Sequence, residues 1–96
     1  MQRQGDLLII KINRIPPGAR KRHSLVLAEG EATGHLHRLN QGEVFAKDGQ
    51  LYFQVAEHSQ SILTHPEHHS ITFTPGTYEV IHQREYEPGG WRHVAD

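Results

Sequence analysis

Short runs of apolar and polar residues dominate the chain and predict β-strands. The first run, Asp6–Ile12, is almost entirely apolar, which is typical of a strand covered on both faces. The later runs alternate, and strands bounded by turn signals recur about every ten residues. These predicted strands are residues 23–29, 32–39, 44–47, 50–56, 71–74 and 77–86. No stretch of helical length carries an apolar stripe at the helical period, so the sequence predicts an all-β fold.

Turn residues separate the predicted strands. Pro16-Pro17-Gly18 ends the first strand, and the basic tract Ala19–His23 is expected to lie on the loop that follows. Residues 57–70 lose the alternation and predict a loop or a short edge strand. About seven short, mainly antiparallel strands in a single domain, residues 1–96, predict a small β-barrel or β-sandwich.

Asp48-Gly49 is the clearest local signal in the chain. The pair stands between two alternating runs, and it predicts a two-residue type I′ hairpin because both central positions of that turn need a positive φ. In the second strand of the hairpin Leu51, Phe53 and Val55 share a face. We expect that face to point into the core.

Composition narrows the chemistry open to the chain. Of 96 residues 35% are hydrophobic, and the formal net charge is −1 with the histidines neutral, which predicts a small core and no general attraction to nucleic acid. There is no cysteine, so disulfides and thiolate ligands are excluded. The longest apolar run, Leu7–Ile10, is too short to span a membrane. We expect a cytoplasmic protein with no membrane partner, whose polar surface permits a homodimer without requiring one.

Histidine is the residue that stands out in the composition. Nine are present, and five of them fall in two short segments, Gly34–Arg38 and Thr64–His69. On a strand His35 and His37 project from one face while Arg38 projects from the other. The second segment lies in a predicted loop that is long enough to fold over the first, so the two segments predict one site.

One hypothesis for this site is a metal centre. Imidazole groups with an open coordination position suit a divalent transition metal such as Zn, Mn, Fe, Cu or Ni. Glu43 or Glu67 is the carboxylate expected to complete the shell. The chemistry would be hydrolytic or oxidative. The predicted metal ligands are His35, His37, His65 and His68.

The same histidines also support a metal-free hypothesis with no cofactor. Imidazole groups can act as general base and general acid on a phosphodiester, while Arg38 or Arg84 stabilises the phosphorane charge and Tyr86 orients it. RNA is the expected substrate, because its 2′-hydroxyl supplies the nucleophile, and Arg20–Arg22 would hold the flanking backbone. The predicted catalytic residues are His35, His37, Arg38, His65, His68, Arg84 and Tyr86.

A third hypothesis involves no chemistry. In a non-catalytic binding module the histidines would be surface residues that hydrogen-bond to neighbouring carbonyl groups. The sequence leaves all three hypotheses open.

Several motifs resemble an uncharacterised family of small bacterial β-rich proteins. They are residues 27–35 continuing through Arg38, Leu63-Thr64-His65 with His68, Pro75–Tyr78, and Gln83–Tyr86. The resemblance implies that His35, His37, Arg38, His65 and His68 form one set, and it implies no activity.

A partial similarity to the cupin motif implies a cupin-like metal site. It rests on the order of five residues, namely Gly30, His35, His37, Glu43 and Gly49. Three of the intervals between them differ from the cupin spacing by about a residue, and the second cupin motif is not recognisable, so the similarity is an analogy.

Overall fold

Two antiparallel sheets form the protein in the computed structural model, which describes residues 1–30 and 33–83. Within these ranges there are ten strands and no helix, and hence no helix able to cross a membrane. The strands are β1 (Gln2–Gln4), β2 (Leu7–Ile12), β3 (Arg20–Arg22), β4 (Val26–Glu29), β5 (Leu36–Leu39), β6 (Glu43–Lys47), β7 (Gln50–Val55), β8 (Ser61–Thr64), β9 (Ile71–Phe73) and β10 (Gly76–His82).

The strand order confirms the all-β prediction and gives a sandwich-like arrangement. One sheet has six strands in the order β1-β2-β10-β7-β6-β3, and the other has four in the order β4-β5-β8-β9. Long central pairings, β2 with β10 and β10 with β7, hold the six-stranded sheet together. The four-stranded sheet carries β5 and β8 side by side, and the four histidines of the predicted site lie on β5 or in the segments next to these two strands.

The Asp48-Gly49 turn joins β6 to β7 as predicted. Both residues have positive φ, 50° and 80°, and the register pairs Lys47 with Gln50 across the turn. Phe53 and Val55 of β7 are buried, and Leu51 packs against them from a partly buried position. The predicted core face of this hairpin is therefore confirmed.

The core between the sheets is apolar and centred on three rings. Phe53, Phe73 and Tyr78, which we call the aromatic cluster, have ring centroids 5.0–5.2 Å apart and come from both sheets. Around them pack the buried aliphatic side chains Leu7, Ile9, Leu27, Leu39, Val44, Val55, Leu63 and Val80. The Tyr78 hydroxyl donates to the Thr74 carbonyl at 2.8 Å, so its polar atom is satisfied inside an otherwise apolar cluster.

The structure corrects the sequence prediction for the basic tract. Arg20–Arg22 is strand β3, paired with β6, and not a loop. It is the edge strand of its sheet, and its outward charged side chains follow the usual way of protecting a sheet edge. Such a strand shows no apolar alternation, which is why the sequence pattern missed it. The short strand β1 escaped the pattern for the same lack of apolar alternation. Residues 57–70, predicted as a loop or a short edge strand, contain β8, which lies between β5 and β9 and not at an edge.

Candidate functional site

Four imidazole rings meet at one end of the sandwich. His35 precedes β5, His37 lies on β5, and His65 and His68 belong to the β8–β9 loop. The ring centroid of His65 lies 5.5 Å from that of His35, 4.3 Å from His37 and 4.5 Å from His68, and the centroids of His37 and His68 are 6.1 Å apart. We call these four residues the histidine cluster. The structure therefore brings together all four histidines that the sequence grouped.

His37 is the buried member of the cluster, with no exposed surface. Its Nδ1 atom lies 2.8 Å from Gln4 Oε1, and the Gln4 amide nitrogen donates to the carbonyl groups of Leu63 at 3.0 Å and His69 at 2.9 Å. Because both amide hydrogens of Gln4 are used, its oxygen faces His37, and Nδ1 of His37 carries a proton. The other ring nitrogen, Nε2, lies 3.9 Å from the Asp6 carboxylate.

The hydrogen bond to His65 places its ring proton on the other nitrogen, Nε2, in contrast to His37. Its Nδ1 atom accepts the backbone N–H of Glu67 at 3.0 Å, so a neutral His65 carries its proton on Nε2. The residue is 6% exposed and its ring packs against that of His37. Two neighbouring imidazoles are thus fixed with their protons on different nitrogens.

His35 lies nearer to the surface. Its side chain is half-buried, and its Nδ1 atom is shielded from solvent and lies 3.5 Å from the Glu67 carboxylate. The carboxylate faces Nδ1 at ion-pair distance without a hydrogen bond, which leaves Nε2 as the nitrogen able to act on a ligand.

An open cleft of about 510 Å³ lies over His35 and His65. Its lining residues are Gly34, His35, Leu36, Arg38, Thr64, His65 and Pro66. Arg38 is exposed on β5, directly opposite Thr64 on β8, so both lie on the outer face of the four-stranded sheet. His37 points the other way, into the sandwich. Of the two histidines next to Arg38 in the sequence, His35 and not His37 therefore shares the cleft with it.

A local break in the strand separates His35 from His37. Gly34 has a φ of 71°, a conformation that favours glycine, and its N–H donates to the Gly30 carbonyl at 2.8 Å. Strand β5 begins only at Leu36, so the strict alternation that would place His35 and His37 on one face does not extend to His35. His37 has no surface to offer a substrate, and a direct catalytic contact predicted for it does not fit its burial.

Comparison with known proteins identifies the family of this domain. A family model described as a domain of unknown function (DUF8820) matches residues 3–83. The chain belongs to this family. The match agrees with the predicted resemblance to an uncharacterised family, and it carries no activity. Searches of the curated proteins and of the solved structures found no match.

The DUF8820 domain includes two polar residues that sequence reasoning missed, Gln4 and Asp6. Gln4 ends β1 and Asp6 precedes β2, on either side of Gly5, and the turn between these strands closes over the histidine cluster. Gly5 has a φ of 60°, and a Cβ atom there would lie 2.9 Å from His68 Nε2 and 3.3 Å from His37 Cε1. The only hint in the sequence is a polar-Gly-polar triplet before an apolar strand, which is too common to indicate a site.

Within the described part of the DUF8820 domain the predicted metal centre has no complete ligand set. Across residues 1–30 and 33–83, no group of three or more His, Cys, Asp or Glu side chains is arranged to hold a metal ion. The bond from Glu67 N–H occupies Nδ1 of His65 and leaves the proton on Nε2, where a ligand needs a lone pair. Glu43, an expected ligand, pairs instead with Lys21 at 3.0 Å. As arranged here these residues do not fit the metal, and metal binding stays a prediction.

Two predicted catalytic residues, Arg84 and Tyr86, lie outside the described residues. Of the remaining set, His35, Arg38 and His65 line the cleft, whereas His37 and His68 lie in the cluster behind it.

Proposed function

We propose that the protein cleaves single-stranded RNA by metal-free acid–base catalysis in the cleft. The observation that carries this proposal is the sharing of one open cleft by His35 and Arg38, with the Glu67 carboxylate behind His35. An imidazole that is oriented by a carboxylate and a guanidinium beside it are the two groups that phosphodiester cleavage needs most.

His35 is the proposed general base. Its Nε2 atom accepts the proton of a ribose 2′-hydroxyl, while Glu67 at Nδ1 stabilises the imidazolium that forms. Glu67 is half-exposed and acts through His35, so we assign it as a positioning residue.

Arg38 is the proposed phosphate-binding residue. It is exposed, and among the described residues it forms no ion pair with a carboxylate, so its guanidinium is available to an anion. A guanidinium can bind two phosphate oxygens at once and stabilise the additional charge of the phosphorane.

The proposed reaction balances without a cofactor. The 2′-oxygen forms a bond to phosphorus as its proton passes to His35 Nε2, and the bond from phosphorus to the 5′-oxygen breaks. The leaving 5′-oxygen takes a proton from the imidazolium of His35 or from water. The products are a 2′,3′-cyclic phosphate and a 5′-hydroxyl, and DNA, which lacks the 2′-hydroxyl, is not a substrate.

The histidine cluster supports this chemistry from below the cleft. His37 and His65 are buried and locked by Gln4 and by the Glu67 backbone, and together with His68 they give the His35 side of the cleft a fixed shape. Holding reacting groups in place is itself a large part of catalysis.

The experiment is an RNA assay with tag-free protein in excess chelator. We expect cleavage of a labelled single-stranded RNA to fragments that end in a cyclic phosphate, no cleavage of the DNA of the same sequence, and a loss of rate of about 10²–10⁴-fold in His35→Asn. The matched control is His58→Asn, an exposed histidine between β7 and β8. Intact RNA, or cleavage that persists equally in His35→Asn and His58→Asn, would refute the proposal.

A further inference from the structure

We infer that the RNA strand continues beyond the cleft, across the edge strand β4 to Arg22, so that the ligand is a polymer held at Arg38 and Arg22. This inference rests on the proposed function, because it extends the same cleft. It names the partner as single-stranded nucleic acid of several nucleotides, in place of a mononucleotide or a dinucleotide.

The path follows from the pairing of β4 with β5. Val26 on β4 is the register partner of Arg38 on β5, and β4 is the free edge of the four-stranded sheet. Arg22 reaches this edge from β3, where its Nη1 atom donates to the Val26 carbonyl at 3.5 Å. Arg38 and Arg22 therefore flank one residue of the edge strand, and most of the five guanidinium donors of Arg22 stay available.

These two arginines differ from Lys21, the cation between Arg20 and Arg22 on β3, in having no carboxylate partner among the described residues. Lys21 is paired with Glu43 at 3.0 Å, and Lys47 donates to the Pro17 carbonyl at 2.6 Å. Among the described residues neither Arg22 nor Arg38 forms an ion pair with a carboxylate. An added anion therefore meets uncompensated charge at these two residues.

Two acidic groups lie near Gly34 and His35, which line the cleft together with Arg38. The Glu29 carboxylate stands beside Gly34, and Glu67 stands beside His35. These carboxylates disfavour a polyanion beside Gly34 and favour a path past Arg38 toward Arg22. The scissile phosphate would lie between His35 and Arg38, and the phosphates that follow it would lie toward Arg22.

The lining of the cleft indicates recognition of the backbone and not of the bases. Among the described residues that line the cleft there is no Phe, Tyr or Trp, and the aliphatic ones are Leu36 and Pro66. Without an aromatic platform, binding comes mainly from phosphate contacts, which are independent of sequence and sensitive to salt.

Binding of 2′-deoxy oligonucleotides tests this inference separately from catalysis, because these ligands cannot be cleaved. We would measure fluorescence anisotropy with a dinucleotide, a tetranucleotide and an octanucleotide over a series of salt concentrations. We expect affinity to rise from the dinucleotide to the octanucleotide. Loss of one phosphate contact in Arg22→Gln should reduce the slope of log K against log salt by about 0.7.

The matched control is Lys11→Gln, which removes an exposed positive charge from β2 beside Gly76; three strands of the six-stranded sheet separate β2 from β3. It should leave length dependence and salt slope unchanged. Binding that is equal for all three lengths, or an Arg22→Gln variant that behaves like Lys11→Gln, overturns the inference even where RNA is still cleaved. Loss of RNA cleavage activity with length-dependent binding intact would instead overturn the proposed function alone.

Discussion

Two groups of packed rings occupy this sandwich, and they are built on opposite principles. In the aromatic cluster the centroids are 5.0–5.2 Å apart, and all three rings come from regular strands. In the histidine cluster they are 4.3–6.1 Å apart, and three of the four rings come from residues outside strands. The first cluster is packed by apolar contact, whereas the second requires specific polar partners.

The difference teaches how a small domain separates stability from function. Burial of Phe53 and its neighbours stabilises the fold without needing a defined partner for each atom. Each buried imidazole instead needs a particular group, Gln4 for His37 and the Glu67 N–H for His65, because an unmatched buried polar atom is costly. The histidine cluster therefore contributes little to the free energy of unfolding for its size, but it holds its rings in defined orientations.

The largest expected effect comes from a substitution that disrupts the aromatic cluster. Phe53→Ala removes a fully buried ring from the centre of the core and should lower the free energy of unfolding by about 3–5 kcal/mol. Phe45→Ala, at a half-buried position on β6, is the control and should cost clearly less. Denaturant titration of both variants measures the difference, and equal losses would show that the core is not centred on these rings.

The next largest effect comes from a substitution that removes the hydrogen bonds supporting the histidine cluster. Gln4→Leu keeps the size of the side chain but removes the acceptor for His37 and the donor to Leu63 and His69, so we expect a loss of about 1–3 kcal/mol. Gln2→Leu, at an exposed position of the same strand, should be neutral. Nitrogen-15 NMR of the imidazoles should also show the Nδ1–H form of His37 lost in Gln4→Leu only. A wild-type His37 that is protonated on Nε2 alone would contradict the assignment.

A smaller effect concerns how the β1–β2 turn closes over the rings. Gly5→Ala places alanine at an unfavourable positive φ and also brings a Cβ atom to 2.9 Å from His68 Nε2. Gly49→Ala causes the φ strain alone, because no atom lies within 4 Å of the added Cβ. Strain of this kind costs about 1–2 kcal/mol per residue. Thermal denaturation should therefore show Gly5→Ala to be the less stable variant, and the reverse order would mean that the turn does not press on His68.

The smallest effect appears at high pH and concerns Tyr52, which lies on β7 like Phe53. Burial, and then the carboxylates of Glu79 and Asp48, raise the pKa of Tyr52 above its ordinary value of 10.0. Because the folded state holds this proton more tightly, the resulting stability is fully present below the pKa of the unfolded chain and is lost as the pH rises through the folded pKa. Denaturant titrations across that range should show the decline in the wild type and a weaker one in Tyr52→Phe; identical curves would contradict it.

The difference between the aromatic cluster and the histidine cluster also explains which features the sequence could predict. Alternation and the Asp48-Gly49 pair are local signals, so the all-β fold and the hairpin with buried Phe53 were predictable. Strand β3 was not, because an edge strand made of Arg20–Arg22 has no apolar face.

The hydrogen-bond partners of the histidines could not be predicted from the sequence, for another reason. Gln4 and His37 are 33 residues apart, and no periodic pattern relates a turn near one end of the chain to a strand in its middle. The split between His35 and His37 was hidden as well, since it depends on the backbone at Gly34 and on β5 beginning at Leu36.

The central claim is that the histidine cluster and its cleft work with protons and not with a metal. Elemental analysis of protein purified without an affinity tag or added metal tests it most directly, with melting temperatures measured after addition of Zn, Mn, Fe, Cu or Ni. We predict less than about a tenth of an equivalent of any metal and no rise in melting temperature, since a bound metal would stabilise the folded state by mass action. Close to one equivalent of metal, lost in His37→Asn, would contradict the account and restore the metal centre that the sequence first suggested.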